Sequence, residues 1–328
     1  MPSCPTGWFP SEANPTFMRV TSNTFPNTLR EQLTRLNQRQ SRLQNQAATG
    51  QLLSLPEDNP SAMRRVLDMQ NESGSVAQYR SNVARHQELA NATYSNLQGL
   101  RSLVDRAGEI ATLAGGVQPG RDLKLYATEV NGLIEQALQI GNSQNRGDYL
   151  FAGTRADQPA FAATRDANGN VTGVTYQGST EVPTSEISDN LEVSAQVPGA
   201  NASGTGTRGL VSDSRSGADL FNHLLALRDR LEAGDAAAIS ANSLDELRTD
   251  EEHLLVHMGA NGAIQARLET TETLLKDRSA SIEALVSKES DADLAQTLVR
   301  LSEIQTAYQA ALQSGGSILN RSLLDYIR

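Results

Sequence analysis

The stretch Leu29–Ala47, LREQLTRLNQRQSRLQNQA, decides the fold. Leu29, Leu33, Leu36, Gln40, Leu43 and Ala47 recur at alternating four- and three-residue intervals. That 3.5-residue period aligns them along one narrow stripe of a helix, the pattern of a coiled coil. The other face is polar, with Arg30, Gln32, Arg35, Arg39 and Arg42. One stripe cannot form a core by itself, so the helix needs a partner. Gln40 is a polar residue within the stripe, able to fix register at some cost in stability.

The same pattern returns near the other end, in LAQTLVRLSEIQTAYQAALQSGGSIL, Leu294–Leu319. Leu294, Leu298, Leu301, Gln305, Tyr308, Leu312, Gly315 and Leu319 repeat the spacing and again include a glutamine. Gly315-Gly316 is expected to weaken or bend this helix. Each terminal stripe needs a partner, and the other terminus is the nearest one. The expected assembly seam is Leu29, Leu33, Leu36 and Leu43 with Leu298, Leu301, Tyr308 and Leu312. Pairing within one chain and pairing between chains satisfy these heptads equally.

Between the ends, Asp58-Asn59-Pro60 is a helix start, with a capping residue before a proline at the first helical position. A helix is expected from Pro60 to about Ala114, stopped by Gly115-Gly116, and another from about Arg121 to Ser143. From Gly147 the pattern turns to β. Tyr149-Leu150-Phe151 reads as a short strand. Asp166-Ala167-Asn168-Gly169-Asn170 is turn chemistry between Phe161 and Val171, Val174 and Tyr176. Short strands are expected around Val182, Ile187 and Leu191–Ala195, closed by a Gly/Ser/Thr-rich stretch from Gly199 to Gly209. Helix resumes near Ala218 and breaks at Ala233-Gly234-Asp235. Another helix follows, and a further one is expected from about Asn261 to Val286.

The fold class is therefore mainly α with a small β-rich insertion, elongated and nested, its N- and C-terminal helices pairing as a coiled coil. Four segments are expected: a Pro-rich disordered leader, 1–17; a terminal coiled-coil domain, 18–55 plus 288–328; a helical-bundle domain, 56–150 plus 213–287; and a β-rich outer domain, 151–212. We read Met18 as the natural start; the plainer alternative is a native disordered arm.

Composition agrees with thin helical bundles. Of 328 residues, 38% are apolar and only 4% aromatic, too few for a thick core. A formal charge of -10 argues against a nucleic-acid binder. The single cysteine, Cys4, permits no intrachain disulfide. No apolar run is long enough for a membrane span, and no signal peptide is expected. The chain either stays in the cytosol or leaves by another route.

No catalytic set, metal site or cofactor site is expected. His253 and His257 are four apart, a metal-capable spacing, but the zinc-protease pattern needs Glu where Leu254 stands. An ordinary helix surface explains them better. Gly204-Thr205-Gly206 lacks a following Gly-Lys-Ser/Thr and reads as a flexible loop. Cys4 has no paired His nearby. Asp291 and Asp293 precede an apolar stripe, where helix capping explains them. The arginines of the first helix read as a solvated coiled-coil face.

Two terminal segments resemble the flagellin superfamily. They are RVTSNTFPNTLREQLTRLNQRQSRLQNQAATGQLLSLPEDNPSA, Arg19–Ala62, and SKESDADLAQTLVRLSEIQTAYQAALQSGGSILNRSLLDYIR, Ser287–Arg328. Within it, Pro56-Glu57-Asp58-Asn59-Pro60 departs from the Pro-poor turn of filament subunits. GDYLFAGTRADQPAF, Gly147–Phe161, is similar to the segment where the junction branch, hook-associated protein 3, enters its β domain. The resemblance covers about Met18 to Arg328.

It implies a structural subunit, not an enzyme, located extracellularly at the hook–filament junction of the bacterial flagellum. The implied partners are hook-associated protein 1, flagellin, neighbouring copies in a ring and a flagellar export chaperone, with no nucleic acid and no membrane insertion. Export through the flagellar type III channel would account for a missing signal peptide. The resemblance also implies termini that order only on assembly, which a lone stripe would require. The alternatives are a filament flagellin or a cytosolic coiled-coil adaptor.

Overall fold

A computed structural model of the chain describes residues 24–53, 55–116 and 121–326, with side chains for all of these except 24–26, 121–122 and 318–326. The leader, Cys4, Met18 and the Leu319 side chain lie outside the described residues. Two units can be distinguished, one within Met1–Asp68 and Leu285–Arg328, the other Met69–Ala284.

In the first unit, helix α1 (Thr24–Thr49) ends at Gly50, whose φ of 72° is the left-handed conformation a helix stop favours. The Gly50 N–H donates to the Gln46 carbonyl at 2.8 Å. Gln46, itself buried, sends its Nε2 to the Leu52 carbonyl at 3.1 Å, which fixes the chain's exit. The restart at Asn59 is as the sequence predicts: its Oδ1 accepts the Ala62 N–H at 3.1 Å as α2 (Pro60–Gly116) begins. Arg65 on α2 forks onto Glu289 at 3.3 and 2.8 Å. Helix α7 (Leu294–Tyr326) is capped by Asp293, whose Oδ1 accepts the Gln296 N–H at 3.1 Å. It runs without a break through Gly315-Gly316, contrary to the expected bend.

Among its described residues the second unit contains α3 (Arg121–Gly141), nine short strands, α4 (Leu220–Ala233), the single turn α5 (Ala236–Ala238) and the greater part of α6 (Leu244–Ser290), up to Ala284. A π-turn, Ile239–Ser243, leads into α6. The strands form hairpins β1–β2 (Gln144–Asn145, Asp148–Tyr149), β3–β4 (Phe161–Arg165, Val171–Tyr176) and β5–β6 (Ser185–Ser188, Leu191–Val193). In the fourth sheet β8 (Ser212–Asp213) lies between parallel β7 (Ala200–Asn201) and antiparallel β9 (Ala218–Asp219). Leu150 and Phe151 follow a hairpin rather than forming a strand; both are buried.

The β-rich segment shares one core with the helices. Phe161 is the pivot, 5.4 Å from the Tyr176 ring and 5.1 Å from the Phe221 ring of α4. Its backbone is clasped by Asn142 just after α3, which donates to the Phe161 carbonyl and accepts its N–H, both at 2.8 Å. Tyr176 donates its hydroxyl to the Phe151 and Ser179 carbonyls at 2.9 and 2.8 Å, and burial pushes its pKa up to about 12.

Within this unit α2 and α6 pack antiparallel. Bridges between Glu72 and Arg278, Gln87 and Glu272, and Arg101 and Glu251 mark the pairing. Buried and half-buried residues of α6 include the series Leu247, Asp250, Leu254, His257, Asn261, Ile264, Leu268, Thr271 and Leu275, which alternates three and four apart. One continuous helix therefore replaces the expected separate helix at Asn261–Val286. Gly259 and Gly262 face open space and do not interrupt it. Several stripe residues are polar, which hid the period from a reading of apolar residues alone.

His86 lies on the matching α2 stripe, 4% exposed, with neither ring nitrogen hydrogen-bonded. Burial, with help from Arg85, lowers its pKa from the ordinary 6.5. The folded chain thus takes up this proton less readily than the unfolded chain. Stability is full above about pH 6.5 and falls as the pH drops toward the folded pKa. His86→Leu is expected to raise stability by about 1–3 kcal/mol, since it removes an unpaired buried polar group. It should also flatten the acid limb. Urea titrations at neutral and mildly acidic pH check both; a destabilised variant would show that the imidazole has a partner.

Candidate assembly interface

The apolar stripe of α1 has one partner among the described residues, α7. The helices run antiparallel. At one end Gln51 bridges Asp291, the Leu52 N–H donates to the Ser290 carbonyl at 2.7 Å, and the Ala292 N–H donates to the Gly50 carbonyl at 2.8 Å. At the other end Leu29 lies on the bare Cα of Gly315, where a Cβ would come within 2.4 Å of the Leu29 Cδ2. The two anchors fix a register that places Leu36 opposite Tyr308 and Leu43 opposite Leu301. Gly315 is the close-approach point, not the weak point.

The predicted seam divides on this register. Leu29, Leu33, Leu36, Gln40, Leu43 and Ala47 are all partly buried, as one paired stripe requires. On α7 the residues turned inward are Thr297, Leu301, Ile304, Tyr308, Ala311 and Gly315, again alternating four and three. Leu301 and Tyr308 are in the intrachain seam. Leu298 and Leu312 are not: they are 55% and 48% exposed. With Leu294 (48%) and Val299 (58%) they are apolar residues of α7 left exposed outside that seam; the helical period puts Leu294, Leu298 and Leu312 on its flank. Thr297 and Ile304 were missed because the periodic leucines beside them supply a stronger apolar signal.

Polar groups outside the seam serve the fold. His253 and His257 are not on a helix surface; both are buried. Their Nε2 atoms reach the same carbonyl, Gly209 O, at 2.7 and 3.0 Å, with the rings edge-on at 4.7 Å. The Gly209 N–H donates to the fully buried Asp213 at 3.0 Å. Arg215 pairs with Asp213 and holds its carboxyl far below the usual range. Burial, with the neighbouring His253, takes His257 down to about 4, so it is neutral at pH 7. A Cβ at Gly209 would come within 2.2 Å of the Ser212 carbonyl, so the clamp requires glycine.

The Gly204–Gly206 loop curls inward: Asn201 Nδ2 donates to the Thr205 and Thr207 carbonyls at 2.7 and 2.6 Å. That is a closed turn. Asp293 caps α7, while Asp291 accepts from Ser287 Oγ at 2.5 Å and Ser290 Oγ at 3.2 Å. Among the described residues no group of three His, Cys, Asp or Glu could hold a metal ion, and no helix is long and apolar enough to cross a membrane.

Residues 20–156 match the family model of the bacterial flagellin N-terminal helical region. No curated protein matches the chain. Three solved structures share the fold. A putative flagellar hook-associated protein from Vibrio parahaemolyticus is 18% identical with a TM-score of 0.60, covering 71% of this chain and 100% of that one. FlgL from Bacillus cereus is 18% identical with a TM-score of 0.54, covering 67% and 99%. Flagellar hook-associated protein 3 from Legionella pneumophila is 14% identical with a TM-score of 0.55, covering 67% and 97%.

The Leu29–Gly315 contact is open to test. Gly315→Ile is expected to cost about 1–3 kcal/mol of the α1–α7 pairing through overpacking. Leu29→Ala in the same chain should restore part of it. Urea unfolding followed by circular dichroism, run as a double-mutant cycle, reads the coupling; strict additivity would place the two residues apart.

Proposed function

From a chain that carries the flagellin N-terminal helical region and shares its fold with solved flagellar hook-associated proteins, we propose a structural subunit of the bacterial flagellum that joins hook to filament. The observation that supports this reading most directly is how the apolar residues of α7 divide. One set is covered by α1 within the chain. Leu294, Leu298 and Leu312, on the flank of that seam, and Val299 are left to solvent. Exposed leucines beside a seam used internally suit a subunit whose remaining apolar surface is covered by neighbouring copies. Half-burying a leucine yields on the order of 1 kcal/mol. A few such residues repeated around a ring are individually weak and collectively decisive.

On this reading the subunit sits extracellularly at the junction, between hook-associated protein 1 on the hook side and flagellin on the filament side. It travels there through the flagellar type III channel. A cytosolic chaperone covers the exposed α7 leucines before export. The subunit works through geometry and carries out no reaction.

Deletion of the gene tests the role. Hooks without filaments, with full-length flagellin released into the medium, are expected by electron microscopy. Normal filaments would refute it and return the chain to a minor filament subunit or an adaptor. Two paired variants then separate the two sets. Leu301→Asp with Tyr308→Asp should abolish incorporation by breaking the intrachain pairing. Leu298→Asp with Leu312→Asp should abolish it while the α1–α7 pairing survives. In both, the Met69–Ala284 unit should keep its thermal transition.

A further inference from the structure

Asn-Gly occurs three times, at Asn131-Gly132, Asn168-Gly169 and Asn261-Gly262. Each pair can in principle undergo the same intramolecular reaction. The glycine backbone nitrogen attacks the asparagine Cγ, the Cγ–Nδ2 bond breaks, and ammonia leaves with the proton lost by the glycine nitrogen. Water then opens the five-membered imide. Attack at one carbonyl gives aspartate; attack at the other gives isoaspartate, with one extra carbon in the backbone. The three pairs are chemically alike, and their surroundings separate them.

Two of the pairs lie inside α3 and α6. There the glycine N–H is tied into the helical ladder, and helical ψ keeps that nitrogen from swinging round to its own neighbour's Cγ. Asn261 is also buried, its Oδ1 accepting Gln265 Nε2 at 2.8 Å. Asn131 Oδ1 accepts the buried Arg228. Reaction at either site requires a stretch of core helix to open.

The third pair is at the tip of the β3–β4 hairpin, in the five-residue loop between Arg165 and Val171, and both residues are exposed. Gly169 has φ of 89° and open space on the side where a Cβ would sit. One turn bond holds its nitrogen, to the Asp166 carbonyl at 3.1 Å. The Asp166 carboxylate braces the loop, accepting the Asn168 and Asn170 N–H groups at 2.8 and 2.9 Å. Those bonds hold its pKa below the ordinary value, the bond from Asn170 being the largest cause. Release of the nucleophile here needs only a loop fluctuation.

We propose that Asn168 is a spontaneous deamidation and isoaspartate site, selected from three equivalent dipeptides by the hairpin tip, with Asp166 as its brake. The modification has a structural consequence. Arg165 Nη1 donates to the Gly169 carbonyl at 3.0 Å, and the same guanidinium forks onto Glu135 of α3. An extra backbone carbon between residues 168 and 169 displaces that carbonyl, and a new carboxylate arises beside Asp166. The tie between the hairpin tip and α3 is loosened.

The test incubates the full-length folded chain at mildly alkaline pH and follows its tryptic peptides by mass spectrometry. Isoaspartate is read by enzymatic methyl transfer. Cleavage after Arg165 and Arg208 isolates the Asn168 pair from the other two. Conversion in that peptide is expected to be at least about tenfold faster than at Asn131 or Asn261, reflecting local opening rather than helix unfolding. Asn168→Ala should abolish the signal, and Asp166→Ala should accelerate it without changing the other two peptides. Equal rates at all three sites would overturn the proposal. So would an unreactive Asn168 in the folded chain when urea-unfolded chain converts at every site, or a signal that persists in Asn168→Ala.

Discussion

The antiparallel seam between α1 and α7 depends on a close approach at Gly315. A narrow stripe of leucines yields little burial on a lone helix, so each terminal helix is marginal until something covers it. Leu29 packed on the bare Cα of Gly315 sets the register, and the backbone bridges from Gly50 and Leu52 to Ala292 and Ser290 set it again at the far end. With both ends pinned, two of the four predicted α7 seam residues, Leu301 and Tyr308, turn inward, and Leu298 and Leu312 stay exposed. Their exposure is a consequence of that register. A seam that closes within the chain and the leucines left beside it have one geometric origin, and the proposed assembly role rests on it.

The second unit solves a different problem. Its α2–α6 stripe contains His86 and Thr93 on one helix and Asp250, His257, Asn261 and Thr271 on the other, all buried. Most of these are bonded. Asp250 accepts the Asp219 N–H at 2.9 Å where α4 begins, and His223 Nδ1 lies 2.8 Å from its other oxygen. His257 and His253 clamp Gly209 and so seat the glycine-rich stretch against α6. These groups convert a plain seam into one that also positions the β-rich segment, at the cost of a few orphans such as His86.

Much of this was legible in the residues. The heptads of the terminal helices, the Asn59-Pro60 start, the Gly234 stop and the Asp166–Asn170 turn rest on local rules. Each works through a chain neighbour or a positive φ, so a short window contains the cause. The continuity of α6 was not legible. Its stripe is interrupted by polar residues whose burial is justified only by partners far away in sequence, Asp250 by Asp219 and His257 by Gly209. The placement of Leu150 and Phe151 failed for a related reason: a strongly apolar pair reads as strand, yet here it plugs a core shared with helices.

What the sequence determined by itself is therefore the set of elements: a mostly helical chain, stripes at both ends, a β-rich interruption between Gly147 and Ala218, and no constellation suggesting chemistry. Tertiary structure decided which face of each helix is spent and which is left over. Sequence periodicity specifies a stripe only to within a residue or so, because an α-helical turn of 3.6 residues lets two adjacent leucine rows share one heptad pattern. The contact between Leu29 and Gly315 and the bridges from Gly50 and Leu52 to Ala292 and Ser290, which join opposite ends of the chain, choose between those rows. That choice leaves Leu298 and Leu312 exposed.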